Sequence, residues 1–576
     1  MFRHAAVRVH PVVLALLLSA CSSASPSHVS PDRSGDPTRS ETRKSLTIAA
    51  LASYKGFGPQ FVTTTGGGSR QLNEIHSVGL LTTDLEGSVI PRLASDLPTV
   101  SGGDVVLMPD GRMQTTFHLR RDVTWQDGAP FTADDIVFGW QVATDPQLDV
   151  RITPTLRQID TVEALSSDAV RITWKSPYFH AISFSINEFW PLPRHLLGEA
   201  FTGDPEAFMR LPYWNTDYVH LGPFRLVDFG LGENLLFQRS DGYFLGRPKL
   251  DEIRIRIVPD SNVVYAALVA GAVDLVGEGV LATDVALQLR DEWAKSREGT
   301  VISKQGNLFF VHVQFNPDYQ RIPELRENVA VRRALLQAVD RDALRESILP
   351  GVAGTEPTTL MTAGDPRARA AGTPFARYIY SPRAALEQLA TVGWRRDPDG
   401  KLVNQRGEPI TLPLRSGSSG NEPRIIAQDW REFGFQVEEE VVPGSLLFDR
   451  AYRVSFPGLE YSAQGNNEGI LSRFDSRNCA RPPRYQGAPD GCYENPQYDA
   501  LVDKLSGTLE PEAQGQVLRE IGEFLAEELP LMPMIYQVTF AAVRANVHAL
   551  TDDFLGANDT GPGQESRNAH LWDRMD

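Results

Sequence analysis

Residues 250–276, LDEIRIRIVPDSNVVYAALVAGAVDLV, change hydrophobic period partway through, and that change restricts the folds open to the chain. Ile253, Ile255 and Ile257 alternate with Arg254 and Arg256, the two-residue period of a strand buried on one face. From Ser261 onward Val264, Ala267 and Leu268 fall on one helical face, with Ser261 read as the cap and Gly271 as the stop. A strand that feeds directly into a helix is the unit of mixed α/β architecture. NVAVRRALLQAVDRDALRESIL (328–349) is read as helical, with Val331, Leu335, Ala338 and Val339 on one face and Arg and Asp on the other. SPRAALEQLATVGW (381–394) has a Ser-Pro start, an apolar stripe and a closing Gly393, while SLTIAAL (45–51) reads as the first strand of the folded chain. No fixed-period repeat or low-complexity block interrupts the remainder.

The chain has 576 residues, about three to four domains' worth, enough for large apolar cores. With 41% hydrophobic and 22% charged residues it has the composition of a globular protein. The formal net charge of -17, without a basic stripe, argues against nucleic acid as a partner, because phosphate binding needs clustered Lys and Arg.

Arg3 and Arg8 precede an apolar run, PVVLALLLSA (11–20), that ends at Cys21. Such a run is too short to cross about 30 Å of hydrocarbon and reads instead as an export signal. Leu18-Ser19-Ala20-Cys21 resembles the bacterial lipobox, in which the cysteine is acylated; the alternative is an ordinary signal peptide with a chance cysteine. Acylation would hold the protein on the outer face of the plasma membrane, the periplasmic side. Residues 22–44 are rich in Ser, Pro and charge and poor in apolar residues, which is the composition of a flexible tether. Cys479 and Cys492 remain, in CARPPRYQGAPDGC. Export makes a disulfide the expectation, worth about 3 kcal/mol in the chain-entropy model; two free thiols are the alternative.

FHLRRDVTWQDGAPFTADDIVFGW (117–140) places two acids near a His and two Arg and so raises the question of catalysis. Phe117 and Leu119 alternate with His118 and Arg120 as a strand, and Asp127-Gly128 is a turn dipeptide. Thr132, with Asp135 three residues on, reads as a capping box, and both Asp134 and Asp135 sit where the helix dipole favours negative charge. Ile136, Val137 and Trp140 give that helix its apolar face. The acids are expected to cap rather than catalyse.

The order LLTTDLEGSVIPRLASDL (80–97) then DGRMQTTFHLRRDVTWQDGAPFTADDIVFGW (110–140) resembles the family 5 extracellular solute-binding proteins, the oligopeptide-, dipeptide- and nickel-binding components of ABC importers. Further segments continue the resemblance in order: PLPRHLL (191–197), LGPFRLVDF (221–229), DGYFLGRPKLDEIRIRIVPD (241–260), FVHVQFN (310–316), NPQYDALVD (495–503) and ELPLMPMIY (528–536). It covers essentially the whole mature chain. What it implies is an α/β, two-lobe, periplasmic-binding-protein-like clamshell of class II with an extra subdomain in lobe I. Residues 45–305 would form the first part of lobe I, with an outer subdomain at about 80–205. Residues 306–537 would form lobe II and 538–576 the return to lobe I, with crossings near 304–316 and 531–540 as the hinge. A peptide held through its backbone would be enclosed as the lobes close, then passed to an ABC permease driven by ATPase subunits. The protein would work as a monomer, without a cofactor or resident metal.

In peptide-binding members of the family an Asp in a W-x-A-D-Y-like segment pairs the ligand's α-amine. Here the corresponding stretch is EYSAQGNNEG, and Gln464 falls at that position, with Asn466, Asn467 and Glu468 beside it. A neutral amide cannot make the charge-assisted bond to an ammonium, so a sugar, a capped peptide or a metal chelate enters as an alternative ligand. Glu468 is a candidate substitute for the missing acid. Tyr54, Phe57, Trp394 and Trp430 are candidates for ligand stacking or for core packing, and Asn316 for a cleft amide or for ordering the hinge backbone. A secreted hydrolase is the rival class; G-x-S-x-G, G-x-x-x-x-G-K, G-x-G-x-x-G and H-E-x-x-H are all absent.

Overall fold

The computed structural model describes residues 43–575, apart from 59–69, 85–87, 149, 151–152, 185, 187, 231–232, 353–356, 362–366, 418–419, 447–448, 465–467, 484, 486–487, 489–490 and 550–564. Cys21, the export signal and almost all of the tether therefore lie outside the described residues.

The backbone of the fold is a ten-stranded mixed sheet. Its order is Gln436–Val441, Thr411–Ser416, Leu459–Gln464, Gly299–Val313, Leu531–Arg544, Leu275–Val276, Ser45–Ala50, Glu252–Ile257, Asn234–Arg239 and Phe224–Asp228. Ile253 and Ile255 are buried while Arg254 and Arg256 face solvent, so the sequence alternation does set this strand's faces. It runs parallel to Ser45–Ala50, whose Leu46, Ile48 and Ala50 join the same core.

The helix that follows runs Ser261–Val269, but its cap is Asp260 rather than Ser261. Asp260 Oδ1 accepts from the backbone N–H of Asn262 (2.9 Å) and Val263 (3.0 Å), the better-placed acceptor one residue earlier. Ser261 Oγ instead accepts from Ala282 N–H at 2.8 Å. Residues 328–349 likewise form two helices, Val329–Gln337 and Arg341–Ile348. Asp340 caps the second through Ala343 N–H at 2.9 Å and so competes with continuation of the first. Ser381 caps Pro382–Thr391 as expected, and Gly393 takes the left-handed φ of 79° just beyond it.

A separate four-stranded antiparallel sheet, in the order Val105–Leu107, Met113–His118, Ala169–Trp174 and Ile159–Ser166, carries the helix Ala133–Thr144. The two acids of that helix part company: Asp134 is exposed and Asp135 buried. Asp135 Oδ2 accepts from Thr132 N–H (2.9 Å) and Trp125 Nε1 (3.2 Å), and Oδ1 from Arg194 N–H (3.0 Å). Gly139 lets this helix lie on the Trp190–Pro191 backbone, since a Cβ there would stand 2.2 Å from the Trp190 carbonyl oxygen.

One apolar core draws its buried residues only from Leu308 to Tyr536. Two others draw theirs from before residue 303 and after 540. A fourth gathers the helices Ser261–Val269 and Thr283–Ser296, together with Leu349, Val352 and Ile535. The long strands Gly299–Val313 and Leu531–Arg544 run from one set of cores into the other. No helix among the described residues is long and apolar enough to cross a membrane.

Candidate functional site at the strand crossing

The two long strands pair antiparallel from Gly299↔Arg544 to His312↔Leu531, with a register shift between Gln305 and Leu308 and another between Phe309 and Phe310. Such irregularities bend a strand and re-aim its side chains, so this is where the sheet changes from serving one set of cores to serving the other.

On one side of the break Lys304 is paired with Thr539. Lys304 Nζ lies 2.8 Å from Glu278 Oε1, and Thr539 Oγ1 donates to Glu278 Oε2 at 2.9 Å. Glu278 leaves the short strand Leu275–Val276, and Glu565 arrives from near the end of the chain; both are buried. Burial pushes the Glu278 carboxyl up, but the Lys304 ammonium and hydrogen bonds from Glu565, Lys304 and Thr539 outweigh it and hold it below the usual range. The cluster was not anticipated from sequence. Its single local signal is an acid set between Gly277 and Gly279 directly after a strand.

On the other side Gln464 is the last residue of Leu459–Gln464 and pairs with Leu308. Arg473 Nη1 donates to Gln464 Oε1 at 2.9 Å and more weakly to the Ala463 carbonyl at 3.4 Å. Its guanidinium carbon lies 5.5 Å from the centre of the Phe310 ring. The same strand is anchored by the fully buried Glu460, which has His312 Nε2 at 3.2 Å and Arg453 Nη2 at 2.9 Å. Tyr461, on the opposite face, stacks on Phe309 at 5.5 Å. Its hydroxyl has no partner among the described residues, and burial raises its pKa.

The other expected site residues are placed as follows. Asn466 and Asn467 lie outside the described residues, and Glu468 begins the helix Glu468–Arg473 with its side chain likewise outside. Phe57 is buried among His76 (4.6 Å), Tyr218 (4.5 Å) and Tyr54 (5.8 Å). Tyr54 is equally buried, in the same core. Trp430 is fully buried, and its Nε1 donates to the Leu335 carbonyl at 3.0 Å; Trp394 also packs into that core. Of the two readings open for these aromatics, core packing describes their surroundings.

Asn316 stands eight residues past Leu308, about 25 Å along the chain from the crossing. Its Oδ1 accepts from Asp318 N–H at 3.0 Å, and it lines a cavity of about 620 Å³ with Tyr493 and Arg481. It orders the turn after the strand. Cys492 opens onto the same cavity and is joined to Cys479, with Cα atoms 4.9 Å apart. Among the described residues the one cluster of metal-ligating types is Cys479, Cys492 and Glu494, and its two sulfurs are bonded to each other.

Separate cores on either side of paired crossing strands, with charged groups gathered at the crossing, are the arrangement of a two-lobe clamshell fold. Residues 88–469 match the bacterial extracellular solute-binding proteins, family 5, in the family's middle region, and the chain belongs to that family, whose members serve ABC importers. It is 22% identical to the oligopeptide-binding protein AppA of Bacillus subtilis, over 93% of this chain and 94% of that one. It is 24% identical to heme-binding protein A of Haemophilus influenzae, over 92% and 94%. The structure of NikA from Brucella suis in complex with Fe(III)-EDTA superposes with a TM-score of 0.67 at 19% identity, covering 92% of this chain and 100% of that one. These relatives are binding proteins rather than enzymes.

Proposed function

We propose that this protein captures a peptide or peptide-like solute at the strand crossing and delivers it to a membrane permease. The observation that carries the reading is the register break between Gln305 and Leu308, with side chains from four separate segments converging beside it. Residues 45–305 and 538–576 form one lobe and 306–537 the other, and the break is the hinge about which they close. The full-length likeness to an oligopeptide-binding protein supports a peptide-like ligand. Cys21 carries the lipid that holds the chain at the outer face of the plasma membrane, and the Cys479–Cys492 bond staples a loop far from the hinge.

Native mass spectrometry of protein purified from its own host tests the capture. A retained small solute, and a melting temperature that rises with that solute while no product forms, are the expected results. Conversion of the solute to product would make the chain a hydrolase and end this reading. Cys21→Ala is expected to release the protein from membranes, and continued retention would remove the anchor.

A further inference from the structure

The two sulfurs of the Cys479–Cys492 bond have different surroundings. Cys492 lines the cavity of about 620 Å³ with Asn316, Arg332, Tyr493 and Glu494, whereas Cys479 is not among the described residues that line it. The backbone just before Cys492 fixes it there. The Gly491 carbonyl accepts from Phe315 N–H at 2.6 Å and from Asn316 N–H at 3.0 Å. A Cβ at Gly491 would stand 2.2 Å from the Val313 carbonyl oxygen, so the chain is pressed against the end of the strand Gly299–Val313. None of these contacts passes through the disulfide, and Cys492 keeps its place at the cavity when the bond opens.

Cys479 differs in its electrostatics. Arg481 Nε donates to Cys479 Sγ at 3.4 Å, and the same guanidinium is paired with Glu494. A guanidinium beside a sulfur favours the thiolate over the thiol. In thiol–disulfide exchange the sulfur with the more stable thiolate leaves the faster. The cavity has the volume of those that hold small molecules. Access therefore marks Cys492 as the sulfur attacked, and charge marks Cys479 as the sulfur that leaves.

We propose that the Cys479–Cys492 bond is a modification site, opened by a low-molecular-weight thiol that becomes joined to Cys492 in the cavity. The incoming thiolate attacks Cys492 Sγ. A new S–S bond forms to it as the Cys492–Cys479 bond breaks, and the electron pair leaves on Cys479 Sγ beside Arg481. One disulfide is exchanged for another, with no net oxidation or reduction. Return attack by the Cys479 thiolate on Cys492 expels the small thiol and closes the loop again. The exchange uses no group of the strand crossing.

To test this, the folded full chain is incubated with reduced glutathione, quenched with acid, alkylated with N-ethylmaleimide and mapped by mass spectrometry. Reduced thioredoxin serves as the protein-dithiol counterpart. The species with glutathione on Cys492 and maleimide on Cys479 is expected to exceed the reverse arrangement about threefold or more. Arg481→Gln is expected to slow opening about threefold or more and to erase that preference. Glu494→Gln removes the negative charge that opposes a thiolate and is expected to hasten opening by a similar factor, which decides the matter where Arg481→Gln fails to fold. The proposal is overturned by glutathione found mainly on Cys479, by opening only after the chain unfolds, or by opening with thioredoxin but not with glutathione. It is equally overturned by an unchanged rate in folded Arg481→Gln or, where that variant does not fold, in Glu494→Gln.

Discussion

Asp135 and Glu278 are both buried carboxylates, one at the start of a helix in the outer sheet and the other at the strand crossing. The oxygens of Asp135 are occupied by Thr132 N–H, Arg194 N–H and Trp125 Nε1, all neutral donors. Burial therefore dominates and raises its pKa despite those bonds. Glu278 meets a lysine, and its pKa is lowered. The partners differ in origin as well as charge. Those of Asp135 lie between residues 125 and 194, whereas Lys304, Thr539 and Glu565 reach Glu278 from three segments at the crossing. A carboxylate held by local neutral donors shapes a fold; one held by distant segments at a bend registers how those segments are arranged.

Substitutions that separate the two regions can break this comparison. Lys304→Met would leave Glu278 buried without its cation, and a loss of about 3 kcal/mol in denaturant unfolding at pH 7 is expected. That deficit shrinks as the pH is lowered toward 5, because without Lys304 burial raises the Glu278 pKa and protonation relieves it. Solute affinity is expected to change in the same variant.

Asp135→Ala removes the acceptor of three buried donors and is expected to cost about 2–3 kcal/mol, with solute affinity unchanged wherever the protein is folded. Its neighbour gives the control: Asp134→Ala, at an exposed position, is expected to stay within about 0.5 kcal/mol of the parent. Should Asp135→Ala weaken solute binding as much as Lys304→Met, the distinction between capping and crossing carboxylates would fail.

The smallest effect per step is a pH dependence. Burial lowers the pKa of His220 to about 3 and, with Arg92 and Lys249, that of His570 to about 4. Both folded values lie below the ordinary value of 6.5, so the unfolded chain binds more protons between them. Stability from these two groups is fully present above about pH 6.5 and falls toward pH 4 and then 3, by at most about 1.4 kcal/mol per pH unit for each. His220→Asn should flatten the acid limb of a stability–pH curve; an unaltered limb would mean that His220 is not buried neutral.

Much of the fold was legible because its signals are local. The alternating Ile of 252–257, the Ser381 cap and the Thr132–Asp135 helix start each depend on neighbours a few residues away. Competition between equally local signals misled the reading elsewhere. Asp260 displaced Ser261 as a cap, and Asp340 divided a helix whose apolar stripe runs on unbroken. At the site, Gln464 was legible as a departure from a family motif, but Arg473 was not. Nothing in a nine-residue separation says that a guanidinium will turn back over Phe310 and take the amide oxygen. The aromatic candidates failed to discriminate for a related reason, since Trp430 presents the same apolar ring to a core as it would to a ligand.

By itself the sequence determined the mixed α/β class, the family and the structural role of the acids at 134–135. Period, capping and turn chemistry act over a few residues, and the family motifs are contiguous. The tertiary structure alone decided which charges meet at the crossing. Glu278 and Thr539 are 261 positions apart, and their contact exists only because a short strand ends beside two long ones that change register together. Local propensity carries no information about such a meeting; it follows from how the sheet is closed and where its strands bend.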